Sequence, residues 1–175
     1  MLTHRKLVAV AAIISGAMSL AACTQGPRDI RVVSVTDVDF KNESQLEWND
    51  YLKPRPSIAI SRIDFSTSTD LLALARKHEY NIDFVVGPCS KDGVKKSVGP
   101  YGGVYWGKGQ IYFGTRDAEV PGYAEAVAKG PTVTYQVYVE KLPSRPQEPL
   151  CFTLEGGNML GGKLRSNVAV IPSHP

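Results

Sequence analysis

The chain has 175 residues, 20 of them Lys or Arg and 17 Asp or Glu, for a formal net charge of +3 at pH 7. That length suits one domain with a real hydrophobic core. The near balance of charge argues against nucleic acid as a partner, which calls for a basic stripe. No apolar stretch of membrane-spanning length follows residue 20, so no crossing of a bilayer is expected beyond that point.

His4, Arg5 and Lys6 open the chain with positive charge, and Leu7 to Leu20 follow as an uncharged apolar run. A charged start before an apolar run of this length is the pattern of a secretory signal, and it is shorter than the roughly 20 residues a transmembrane helix needs. The run ends in Leu20-Ala21-Ala22-Cys23. This tetrad resembles the lipobox of bacterial lipoproteins, where small residues fit the signal peptidase and the cysteine thiol takes a diacylglyceryl group. The resemblance covers residues 1–23. It implies that residues 1–22 are a signal peptide and that Cys23 is the lipidation site, carrying acyl chains such as palmitate. Thr24, where Asp would signal retention, implies sorting to the outer membrane on its periplasmic side. Two or three acyl chains anchor stably, because each buried methylene contributes about 0.8 kcal/mol. Losing Arg5 and Lys6 leaves 18 of the 20 basic residues against 17 acidic ones, a formal charge of +1. Residues 23–29 then form the lipidated N-terminus and a short linker, and residues 30–172 a single β-rich domain.

Ile30 to Phe40 reads as a strand, with Ile30, Val32, Val38 and Phe40 on one parity. Asn42 to Pro56 is a polar loop, since Pro54 and Pro56 oppose a helix. Ile58 to Phe65 is a second strand. Ser66 to Asp70 supplies hydroxyl and carboxylate caps for a short helix with Leu71, Leu72, Leu74 and Ala75 as its buried face. Arg76, Lys77 and His78 fall at its C-terminal end, His78 as a cap. Tyr80 to Val86 alternates as a strand that Gly87-Pro88-Cys89 is expected to end. Lys91 to Gly103 reads as loop. Val104-Tyr105-Trp106 and Gln110 to Thr115, around Gly107-Lys108-Gly109, read as a hairpin. Pro121 to Lys129 is a second short helix, closed by Gly130-Pro131. Thr132 to Lys141 shows the cleanest alternation in the chain, with Val133, Tyr135, Val137 and Val139 facing one way. Leu150 to Leu154 and Val168 to Ile171 close the fold around a glycine-rich loop at 156–162. About eight strands and two short helices, with connections mostly too short for parallel crossovers, predict a mainly β fold. Its form is an antiparallel β-sandwich or an α+β sheet with two peripheral helices.

Cysteine use carries the next expectation. With Cys23 lipidated, Cys89 and Cys151 remain in an oxidising compartment, which predicts a disulfide closing a loop of about 60 residues.

Catalytic motifs are incomplete. Gly157 to Leu164 follows the phosphate-loop pattern GxxxxGK[ST] until its last position, where Leu164 has no hydroxyl for magnesium. Cys89-Ser90 resembles the nucleophile of papain-like cell-wall peptidases, but a turn, Lys91-Asp92-Gly93, follows where a helix is required, and the only downstream histidine is His174. There is no GxSxG elbow, and His78 and His174 lack the spacing of a metal pair. Paired carboxylates for glycoside hydrolysis can be assembled from acidic residues far apart in sequence; Asp37, Asp39 and Glu43 lie near one another, for which alternating acids on a solvent face are the common explanation. From Lys91 to Arg116, lysines and aromatic rings interleave. Tyr101, Tyr105, Trp106, Lys108 and Tyr112 form a candidate binding patch, since flat rings give contact area at low entropic cost. The alternative is that alternate rings are core and the lysines keep an edge soluble.

The expectation that follows is a non-catalytic protein-binding domain without cofactor, metal or nucleic-acid partner. It would be tethered to the membrane by its lipid and engage a periplasmic protein, for instance as an immunity or inhibitor protein against an envelope hydrolase. A structural part of a secretion or transport assembly is a second reading, and a cell-wall-active enzyme with dispersed carboxylates a third.

Overall fold

A computed structural model describes residues 26–47, 54–95 and 97–172. Cys23 and the apolar leader lie outside the described residues, as do Trp48, Tyr51 and His174. In chain order the elements are β1 (Arg31–Asp39), β2 (Ala59–Thr67), α1 (Leu71–His78), β3 (Asn81–Ser90), β4 (Gly93–Val94), β5 (Pro100–Trp106), β6 (Gly109–Gln110), α2 (Tyr123–Lys129), β7 (Val133–Glu140), β8 (Leu150–Gly157), β9 (Lys163–Arg165) and β10 (Ala169–Val170). Short 3-10 turns occupy Phe40–Asn42 and Asp117–Glu119.

Every strand pairing is antiparallel. One sheet runs β1-β2-β7-β5-β6 and the other β10-β8-β3-β4, with β9 also on β8. The protein is mainly β, a sandwich-like pair of sheets with two short helices, as the alternating sequence predicts. Ile63 and Phe65 from β2 and Tyr135 and Val137 from β7 meet Ile82 and Phe84 from β3 and Phe152 and Leu154 from β8 in one core. Phe65 stacks on Tyr135 at 5.5 Å and meets Phe152 at 4.9 Å between ring centroids. Such offset aromatic contacts add to the burial of apolar area that drives the packing.

The first sheet also buries part of its other face. Phe40, Leu46, Ile60, Tyr105 and Tyr138 form a second cluster there. The segment after β1 folds back over that face. Arg55 pins it, donating to the carbonyls of Glu43 and Leu46 while its guanidinium lies 4.8 Å from the centre of the Phe40 ring. Tyr138 is on the outward parity of β7 yet is buried, because this cover lies on it.

Several boundaries differ from the sequence reading. β3 continues through Gly87-Pro88-Cys89 instead of ending there. Pro88 is tolerated because its carbonyl accepts from Lys95 N–H on the outer side of β3, the side on which a proline N–H would be missing. Two of the glycines assigned to the 156–162 loop belong to β8. A Cβ on Gly156 would sit 2.1 Å from the Asn81 carbonyl oxygen, so the β3–β8 approach there needs glycine. At the end of α1, His78 is not the cap. Glu79, in the left-handed region at φ 55°, donates its N–H to Ala75, and His78 stacks on Tyr80 at 5.3 Å instead. After β6 no strand follows at 111–115.

Cys89 and Cys151 form the expected disulfide, with Cα atoms 4.9 Å apart. In the β3–β8 register Cys151 lies opposite Gly87, so the bridge runs diagonally between neighbouring strands. A second tie holds the N-terminal segment. Asn167 accepts from Ile30 N–H at 2.8 Å and donates to the Ile30 carbonyl at 3.0 Å. Asn167→Ala leaves that pair of backbone groups without partners and is expected to cost about 1–2 kcal/mol, read as an earlier midpoint in chemical denaturation. An unchanged midpoint would mean that Asn167 does not anchor the segment.

Candidate binding site

The two helices border a concavity. α1 starts at Asp70, whose side chain caps the helix by accepting from Ala73 N–H. Its buried face, Leu71, Leu72 and Ala75, rests on the core, and its outer face borders α2. Between α1, the 117–119 turn and α2 lies an open groove of about 450 Å³. Leu72, Val120 and Tyr123 make an apolar floor, and Ala73 and Ala124 line exposed walls. Asp70, Arg76, Asp117 and Glu125 place charges of both signs on the rim. Arg76 bridges the two sides, donating to the Thr115 carbonyl and pairing with Asp117 at 2.7 Å.

Two buried tyrosines brace the floor through hydrogen bonds. The Tyr123 and Tyr135 hydroxyls are 2.7 Å apart. Tyr135 accepts from Leu71 N–H and Tyr123 from Leu72 N–H, while Tyr123 donates to the Asp70 carboxylate at 2.7 Å. The first N–H groups of α1 are thus satisfied from across the core as well as by the cap. Burial above all pushes both hydroxyls up, Tyr135 to about 12 and Tyr123 further, so neither is available as a base or nucleophile at neutral pH.

The patch expected from the 91–116 segment is not one surface. Tyr105 is 2% exposed and belongs to the outer cluster, edge-on to Tyr138 at 5.8 Å. Tyr101 packs beside it, 5.4 Å from Phe40. Trp106 points to the opposite face of the sheet, where its ring meets Tyr123 edge-on at 5.4 Å next to the groove. Lys108 stands exposed in the β5–β6 turn, and Tyr112 is half-buried against Phe113. Neighbours on a strand point to opposite faces, and this separates Tyr105 from Trp106. Tyr105 is core and Tyr101 is half-buried against the same cluster, while Trp106 packs on Tyr123, a residue of the groove floor.

The other chemical candidates are engaged structurally. Asp37 accepts from Ser61 and pairs with Lys141 at 3.0 Å. Asp39 caps the 40–42 turn and accepts from Ser57. Glu43 accepts from Tyr138 at 2.9 Å and from Gln45. Cys89 is in the disulfide, and the 157–164 stretch is a strand hairpin whose turn is closed on itself by Asn158. Among the described residues no group of three or more His, Cys, Asp or Glu is placed to hold a metal, and no helix is long and apolar enough to cross a membrane.

No family model, no curated protein and no solved structure matches this chain. Sequence reasoning did not find the groove, since it assigned α1 and α2 as separate peripheral helices. The available signal was the pair Ala73 and Ala124, small residues on the outer faces of two short helices.

Proposed function

We propose that this chain is an outer-membrane lipoprotein, anchored through Cys23 on the periplasmic side, whose β-domain is a non-catalytic protein-binding module. The specific form we favour is an immunity or inhibitor protein that caps an envelope hydrolase. The observation that carries this reading is the α1–α2 groove. An apolar floor ringed by charges of both signs has the anatomy of a protein interface, with an anchor position at its centre and polar groups around it. Its hydrogen-bonded backing means that little ordering entropy is lost when a partner side chain enters. The non-catalytic part is supported by tyrosine hydroxyls kept protonated by burial and by carboxylates already committed to structural partners. The anchor is supported by the charged start, the apolar run and the tetrad ending at Cys23.

Ala73 and Ala124 are exposed, so Ala73→Trp and Ala124→Trp fill the groove without disturbing the core. In a pulldown from detergent-solubilised envelopes, the wild-type chain is expected to recover a stoichiometric protein partner. Each tryptophan variant should lose at least tenfold in recovery, with its thermal midpoint unchanged. No stoichiometric partner, or full recovery by both variants, overturns the binding role of the groove. Mass spectrometry of the native N-terminus tests the anchor separately, since an unprocessed Met1 or an unmodified Cys23 removes it.

A further inference from the structure

The turn between β8 and β9 holds two large apolar side chains in water. Met159 is 103% exposed and Leu160 90%. The turn itself is closely organised. The Asn158 side chain accepts from Leu160 N–H at 3.1 Å and from Gly162 N–H at 2.8 Å, and donates to the His78 carbonyl at 2.7 Å. Gly161, at φ 84°, completes the reversal. This framework ties the turn to the end of α1, and neither apolar side chain takes part in it. Phe113 is 46% exposed and flanks the same end of the molecule, where its N–H donates to Tyr80, the residue that packs under Gly162. Lys77 and Glu79, on either side of His78, and Lys163, next to Gly162, are exposed, and Glu155 pairs with Arg165 further down the hairpin.

The chain enters the domain from this side. Traced backwards from Ile30 to Gly26, it moves from Asn167, which it hydrogen-bonds, to Arg165, which it touches. That is the direction from β10 along β9 toward the turn. Gly162 is only about 10 Å beyond Arg165 at the rise of a strand. Three further residues, from Gly26 to Cys23, reach at most about 11 Å. A lipid on Cys23 would therefore hold the turn close to the bilayer surface, in a position where exposed apolar side chains lose their contact with water.

We infer that the β8–β9 turn is a second membrane contact, with Met159 and Leu160 inserting into the interface of the bilayer that the Cys23 lipid enters. This rests on the anchored reading above. The contact fixes the orientation of the domain, so the α1–α2 groove is presented at a set height above the membrane.

Met159→Cys tests it. An introduced thiol is the sole reactive one in a chain whose other cysteines are acylated or disulfide-bonded, and it can carry an environment-sensitive fluorophore. Full acylated protein is reconstituted into vesicles of phosphatidylethanolamine and phosphatidylglycerol with nitroxide-bearing lipid. The label at 159 is expected to shift to the blue and to be quenched at least threefold. A label at Glu148→Cys, before the opposite end of β8, is expected to stay water-exposed and unquenched. A water-exposed label at 159 in protein whose N-terminal mass shows acylation overturns the membrane contact and leaves the anchor standing. An apolar shift in native envelopes without quenching in pure lipid marks a protein on the turn and also overturns it. A non-acylated Cys23 overturns the anchor, and the second contact with it.

Discussion

Replacing Cys89 and Cys151 together by alanine is expected to destabilise the domain by about 4 kcal/mol, the chain-entropy value for a bridge across 62 residues. For a domain of this size that corresponds to a fall in thermal midpoint on the order of 10 °C. The native structure should change little. β3 and β8 remain paired along Asn81–Pro88, and Cys89 N–H still donates to the Pro149 carbonyl. The bridge joins strands that already adjoin, so its contribution comes from restricting the unfolded chain. Thermal melts of the variant, and of wild-type protein with and without reductant, measure the effect. A midpoint unchanged by reductant in a sample shown to carry free thiols would remove the disulfide as a stabilising element.

Alkaline pH is expected to unfold the domain in a cooperative step tied to tyrosine ionisation. Burial is the main cause that raises the hydroxyls of Tyr105, Tyr123, Tyr135 and Tyr138, with Tyr135 at about 12. A tyrosine held protonated in the fold contributes stability that is complete below its unfolded pKa near 10 and is lost as the pH rises through the folded value. Over that window each such group removes about 1.4 kcal/mol per pH unit, so Tyr123, Tyr135 and Tyr138 together remove roughly 4. Against a total stability of about 5–15 kcal/mol, unfolding follows near pH 11–12. Tyrosinate absorbance and far-ultraviolet circular dichroism, followed in one titration, should show these four hydroxyls ionising only as the fold is lost. Tyr135→Phe should make the loss less steep. Ionisation of these four hydroxyls near pH 10 with the fold intact would contradict the buried network.

Much of this architecture is local and therefore legible from residue order. Val133, Tyr135, Val137 and Val139 alternate with polar neighbours, and β7 follows because one face of that strand has to leave water. Asp70 before Leu71-Leu72 and Arg76-Lys77-His78 after them mark α1 to within a residue or two, since capping and dipole effects act within one turn. Cys89 and Cys151 were readable as a pair because an expected lipid on Cys23 leaves those two thiols for each other, and the disulfide joins them.

The rest depended on what lies across a strand or over a face. Tyr105 and Tyr138 look outward on their strands and become core only because the 40–47 segment folds back onto them. Pro88 marked a strand end by its own chemistry, and its place at the outer side of β3 cancelled that signal. Tyr101, Tyr105 and Trp106 made one patch on paper and two opposite faces in space.

The sequence alone determined the β-rich class, the two helices, the cysteine pair and the expectation of a lipid anchor. Each rests on periodicity, capping or composition within a short stretch of chain. The tertiary structure decided which rings are buried, where α1 and α2 leave a groove, and that the incoming N-terminal segment runs along Asn167 and Arg165. Those are relations between residues about 30 to 140 positions apart, and strand order and long-range closure set them, which no local pattern encodes.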